Sequence, residues 1–492
     1  MKAELQEKEV LAMYDVRGIQ NYIFKSNVAK EIIGASALVE KIVTGGLQKY
    51  IEGLDAEVQK NYMIDWENDD DQAFLKNQDV MMQVMFVGGG NAYVLFRKGS
   101  ECQKVNQFLG KYILDATYSL NLSIAVIEKT DSYNADYNKI NLELRKIKAY
   151  MSLTQPMGAL PFMAADTITG YPITGKDSKK SEYLCTEAKL KRKAFPEQES
   201  EKVFDSLLAV VHMDGNQMGI QIQEKMSRIG PYEDAIPAMR KISKEIAVTF
   251  RDTFDRMLAY MDELAPKVKK NVRNKLYREI VVAGDDITFV CNAKLAIPAV
   301  KFFLENIGAD KNYSACGGIA FFNSHFPFSD AYQVAEACCD SAKKRAKQKS
   351  CRGKNNEVGN FLDFQMCTNI RAAHLDSYRE KHYLTDGEYF IARPYFIPAK
   401  KDRGKVNAKN KKYSIERMEQ WSEVFSHMPR SKAKQLRNII PMGKNEIEKT
   451  LSFLASRGYK TLAESQEEYQ VWYDALELMD LYIGGDENEI ND

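Results

Sequence analysis

The chain has 492 residues, 45% hydrophobic and 28% charged, an ordinary globular balance with material for several cores rather than one. Lys and Arg exceed Asp and Glu by only one, so net charge does not make the molecule a polycation drawn to nucleic acid, and such binding would need local patches. The amino-terminal MKAELQEKEVLAMYDV lacks the apolar stretch of a signal peptide, and no run reaches the roughly 18–20 apolar residues that cross a bilayer, which points to a cytoplasmic protein without a membrane partner.

In chain order, LAMYDV, VMMQVMFV, NAYVLF and LNLSIAVIE read as strands, with helical stretches after the first and third. This βαββαβ order suits a ferredoxin-like sheet with helices on one face, and the triplet Gly88-Gly89-Gly90 with Asn91 makes the turn between its second and third strands. Residues 133 to 152 read as a further helix, and Pro and Gly then break all periodicity between Pro156 and Lys193. A second unit repeats the plan. SLLAVVHMD is a β-rich run ending in an acid, helical spacing extends from about Pro237 to Leu264, and REIVVAGDDITFVC has two β-rich arms around Gly284-Asp285. SACGGIAFF gives another strand, and SDAYQVAEACCDSAKKRAKQK a helix that turns strongly basic. An apolar strand ending in Asp, followed by a hairpin turn that is GGGN in one copy and AGDD in the other, implies an internal duplication. From about Ser414 charged amphipathic segments predict a small helical bundle with Trp421 and Trp472 in its core, and the acidic tail GGDENEIND reads as frayed.

The chemistry lies in the acids of the second unit. Phosphoryl transfer between nucleotides uses two hard cations about 4 Å apart, and carboxylates are their natural ligands. An acid at a strand end, Asp214, and a doublet on a neighbouring hairpin, Asp285 and Asp286, can be held together by sheet pairing as a site for Mg²⁺ or Mn²⁺. Gly215 and Gly284 beside them leave room for a triphosphate, and Lys343 or Lys344 on the basic helix can meet its charge. The competing reading is that aspartate simply favours turns. His212, next to Met213 and Asp214, reads as a packed strand residue rather than a general base. The five histidines form no HxxxH or HExxH, and the eight cysteines form no CxxC pair, so they read as reduced thiols. The basic stretch Lys343 to Lys354 fits a solvated helix end as well as contact with RNA or triphosphate, and Lys267 to Arg278 reads rather as a solvated face.

LAVVHMDGNQMG, AGDDITFV, CGGIAFFNSHFPFSDAYQVAEACCDSAKK and FLDF occur in the order of the second palm domain of the large subunit of type III CRISPR effector complexes, which the chain resembles; that domain is itself related to the GGDEF nucleotide cyclases. MYDVRGIQNYIF, GASALVEKI and MFVGGGNAYVLF resemble that subunit's first palm. The resemblance implies an α+β chain with two ferredoxin-like palm domains and a carboxyl-terminal helical bundle: a first, degenerate palm over 1–152, a connector over 153–200, a second palm over 201–370 and a helical domain over 371–492. It further implies a synthase of cyclic oligoadenylates, with Asp214 and Asp285 as metal ligands, Asp286 sharing that role and Lys343 on phosphate. Gly89 and Gly90 of the first palm would complete a pocket for a second nucleotide, where Asp15 alone does not suffice for two metals. Three departures stand out: Ala283 replaces the first glycine of the signature, the first palm begins without the family's HD nuclease domain, and of the zinc-binding cysteines only Cys185 remains.

The expected activity is therefore a metal-dependent nucleotidyltransferase that joins nucleoside triphosphates, first of all ATP, into cyclic or linear oligonucleotides for antiviral defence. Guide or target RNA and other effector subunits are the candidate partners. The rivals are a nucleotide-binding scaffold within an RNA-guided complex and a standalone sensor without turnover.

Overall fold

The computed structural model describes the whole chain except residues 1–2, 89, 152–154, 178–180, 197–205, 270–274, 309–312, 354–357, 368–373, 401–405, 460–461, 463–464 and 484–492. The acidic tail thus lies outside the described residues. The chain forms two compact units, residues 1–201 with 217–248 and residues 202–216 with 249–492.

In the first unit, β1 (Val10–Arg17), β2 (Met82–Gly88), β3 (Asn91–Phe96) and β4 (Asn121–Glu128) lie in the order β2-β3-β1-β4, with the short strand Tyr62–Met63 at the β2 edge. This is the ferredoxin-like order expected from the sequence, with β1 antiparallel to both its neighbours. The sheet is covered on both faces. Tyr14 reaches Asn106 of α1 (Gly99–Thr117), its hydroxyl donating at 2.6 Å, while Leu11, Met13, Leu95 and Ile127 pack with Tyr133, Ile140 and Leu144 of α2 (Tyr133–Tyr150). Two-sided burial explains why LAMYDV reads as a continuous apolar run instead of alternating. Met226, Tyr232, Ile236 and Met239 join the same core, so the start of the long helix α3 (Tyr232–Val268) belongs to this unit.

In the second unit, β5 (Leu207–Gly215), β6 (Tyr277–Ala283), β7 (Asp286–Asn292) and β8 (Ala315–Asn323) repeat that order as β8-β5-β7-β6. Two strands extend the sheet beyond β8: β9 (Asn360–Met366), parallel to it, and β10 (Tyr395–Ile397), antiparallel to β9. The boundary drawn from sequence at residue 370 therefore falls between two strands of one sheet. Helix α4 (Ala293–Asn306) packs on one face, where Val300 meets the Gly317 backbone, and α5 (Phe328–Ala346) on the other. The carboxyl-terminal helices include α6 (Ile415–Ser426) and α7 (Tyr469–Glu477), joined by the buried Trp421 and Trp472 rings, 5.1 Å apart and edge to face. Asp474 of α7 accepts hydrogen bonds from the backbone N–H of Ala392 and Arg393 and from the Tyr395 hydroxyl, fixing the bundle to the sheet edge. All eight cysteines are buried and unpaired.

Candidate functional site: carboxylates at the end of β5

Sheet register places the acids. Asp214 pairs directly with Asp286 across the β5–β7 ladder, and Asp285 is carried on the two-residue turn between β6 and β7. Gly284 takes φ +65°, the left-handed value that a tight hairpin demands at its first turn position, and a Cβ there would meet nothing within 4 Å. The glycine thus answers a backbone requirement, and the space above the turn is open. The Gly215 N–H donates to the Asp285 carbonyl at 3.3 Å, which ties the end of β5 to the turn.

A close helix completes the site. At Gly318 of β8 a Cβ would lie 2.0 Å from the Ala335 carbonyl oxygen and 2.3 Å from the Cys339 nitrogen, so α5 rests directly on the sheet there. One turn beyond Cys339, Lys343 reaches Asp214, and its Nζ donates to Oδ2 in a tight ion pair. Burial acts to lower the Lys343 ammonium, but the Asp214 charge and hydrogen bond outweigh it and hold its pKa above the usual lysine value. The Asp285 carboxyl is pushed up to about 6, first by burial and then by the Asp214 charge beside it.

On the same face, two residues into the sheet, His212 pairs with Thr288. Its Nδ1 lies 3.1 Å from the Thr288 Oγ1 and 3.6 Å from the Asp286 Oδ1, and the Tyr332 ring stands edge-on at 5.8 Å. Burial lowers the His212 imidazole to about 4, so it is uncharged at neutral pH and does not act as a resting cation for the acids.

The structure therefore gathers Asp214, Asp285, Asp286, Lys343, Gly215 and Gly284 around one strand end. Lys344 points elsewhere, 3.6 Å from Asp376. Among the described residues no group of three His, Cys, Asp or Glu is drawn together tightly enough to form a ready-made metal cluster. In the first unit Gly90 takes φ +81° and is covered by Ile19, whose Cδ1 lies 2.4 Å from where a Cβ would stand, while Gly89 lies outside the described residues. Asp15 there pairs with Asn91 across the ladder and binds Lys148 at 2.7 Å. Sequence reading passed over Thr288, Tyr332 and Gly318. The available signal for Gly318 was a glycine pair inside a strand, which marks a close backbone approach.

Residues 207–353 match the family described as Cas10/Cmr2, second palm domain. No curated protein matches the chain. Among solved structures it is similar to a Csm1–Csm4 cassette in complex with cA4 (12% identity, 97% of this chain and 70% of that one, TM-score 0.49). It is similar too to the cassette in complex with one ATP (11%, 97% and 70%, 0.49) and to Csm1 of T. onnurineus (13%, 98% and 70%, 0.47).

Proposed function

Taking as premise that this is a Cas10-like chain, with a Cas10/Cmr2-type second palm domain over residues 207–353, we propose that it is a metal-dependent nucleotidyltransferase whose second palm joins nucleoside triphosphates, ATP first among them, into cyclic or linear oligonucleotides. The observation that carries this is the convergence of Asp214, Asp285 and Asp286 with Lys343 at the end of β5. Mg²⁺ commonly uses only one or two carboxylates and takes its remaining ligands from substrate phosphates and water, so the absence of a preformed three-residue cluster among the described residues is compatible with it. The pair of mutually repelling carboxylates, Asp214 and Asp285, suits such a cation, with Asp286 supporting them. Bound there, Mg²⁺ or Mn²⁺ would lower the pKa of an attacking hydroxyl and neutralise the leaving pyrophosphate.

In this reading a ribose 3′-hydroxyl of one nucleotide attacks the α-phosphorus of another. A new P–O bond forms as the bond to pyrophosphate breaks, and the hydroxyl proton leaves to solvent. Lys343 passes from Asp214 to the triphosphate, and the open space over Gly284 admits the phosphates. The setting is antiviral defence in the cytoplasm, with RNA and other effector subunits as partners. Among the described residues no helix is long and apolar enough to cross a membrane.

One observation favours a second reading, a nucleotide-binding scaffold without turnover: Lys343 already neutralises Asp214, just as Lys148 does Asp15 in the palm that lacks the doublet. Incubation with labelled ATP or GTP and Mg²⁺ or Mn²⁺, followed by mass spectrometry, separates the two. Synthesis is expected from the wild type and not from a variant with both Asp285 and Asp286 changed to Ala, and product from that variant removes the site.

A further inference from the structure

The two units provide an internal comparison. Asp15↔Asn91 in the first corresponds to Asp214↔Asp286 in the second, and two residues inward Met13↔Tyr93 corresponds to His212↔Thr288. The helices that follow the fourth strands agree as well: Tyr137 and Tyr332 are each the fifth residue, and Lys148 and Lys343 each the sixteenth. Tyr137 stacks on Tyr93 where Tyr332 stands against His212. Against this shared frame, the imidazole occurs only in the copy whose hairpin begins with a carboxylate, and the hydroxyl beside it is a short threonine where the other copy has the Tyr93 phenol, which donates instead to Asn141. An apolar thioether fills the same place in the other copy, so packing alone does not call for histidine, and a buried imidazole costs free energy unless its polar atoms are used.

We propose that His212 is a positioning residue for Asp286: its Nδ1–H, held 3.1 Å from the Thr288 hydroxyl oxygen and 3.6 Å from the Asp286 Oδ1, closes to a hydrogen bond on that carboxylate when the carboxylate turns to a cation. The inference rests on the reading of Asp286 as part of that site. Carboxylate ligands are oriented by such hydrogen bonds, and loss of the supporting partner commonly weakens metal binding about 10- to 100-fold.

The test is Mn²⁺ titration of the full-length chain by electron paramagnetic resonance, for wild type, Asp286→Asn, His212→Met (the first unit's own residue), His212→Asn (whose amide nitrogen takes the place of Nδ1) and Thr288→Val. Melting in EDTA serves as the structural control. His212→Met should bind Mn²⁺ about 10- to 100-fold more weakly while melting like the wild type without metal, and His212→Asn should recover most of the affinity. Wild-type affinity in His212→Met overturns the inference and leaves the carboxylate site standing. Absent Mn²⁺ binding by the wild type, or unchanged binding by Asp286→Asn, removes the underlying site and the inference with it. If His212→Met melts far below the others, Thr288→Val decides: a several-fold loss supports the arrangement, and wild-type affinity overturns it.

Discussion

Asp285→Asn should stabilise the metal-free protein while abolishing its response to divalent cations. The Asp285 carboxyl is pushed from the ordinary aspartate value of 3.8 to about 6 by burial and by Asp214. A shift of that size corresponds to about 3 kcal/mol of strain on the ionised form, at 1.36 kcal/mol for each pKa unit, and the open side of the turn screens it toward about 1–2 kcal/mol. The amide removes the charge and keeps the shape, so at pH 7.5 in EDTA the variant should be the more resistant to urea by that amount. Because the folded-state pKa is raised, protonation favours the fold: the advantage is full above about pH 6, shrinks as the folded carboxyl takes up its proton below that, and is gone below 3.8, where the carboxyl of the unfolded chain is neutral as well. With Mn²⁺ at about ten times its dissociation constant the wild type should gain about 1.4 kcal/mol and the variant none, which narrows or reverses the order. A variant less stable than the wild type in EDTA would show that Asp285 makes a favourable contact in the resting fold, and would refute the idea of a site strained to await a cation.

Gly318→Ala should lower synthesis sharply and cost at least about 1–3 kcal/mol in denaturant titration, since the added methyl meets α5 backbone that positions Lys343. Gly284→Ala meets no neighbour but forces an L-residue to φ +65°, a cost of about 1–2 kcal/mol that unfolding curves should report, with a modest loss of activity. Trp472→Ala should destabilise the second unit by about 3–5 kcal/mol in the same titrations, since the fully buried ring is central to the bundle.

The strands, their order and the hairpin bearing the acids were legible because β-rich runs and a Gly-Asp turn are local signals, and the pairing of Asp214 with Asp286 follows once two such runs adjoin. The contacts made by α5 were not legible. Lys343 meets Asp214 only because Gly318 lets the helix touch the sheet, a coincidence of residues far apart in the chain that leaves no periodic trace. Likewise, Tyr395–Ile397 is too short to announce itself as a strand, yet the sheet edge and Asp474 fix it in place. Gly89 and Gly90 looked equivalent to the second hairpin's turn by pattern, whereas Ile19, seventy-one residues from Gly90 in sequence, covers that glycine.

The lysine–aspartate pair deserves a different weight from the one its motif suggests. Both units join an acid at the end of their first strand to the sixteenth residue of the helix after the fourth, although only one carries further acids at the hairpin. A feature present with and without the doublet is first of all a tie between helix and sheet. If so, Lys148→Ala and Lys343→Ala should each loosen their own helix, visible as faster amide exchange along residues 133–150 or 328–346. Only the second should alter nucleotide binding. Equal effects on nucleotide binding would assign phosphate contact to both palms. No effect from Lys343→Ala would leave the tie as its whole role and return the chemistry to the three carboxylates alone.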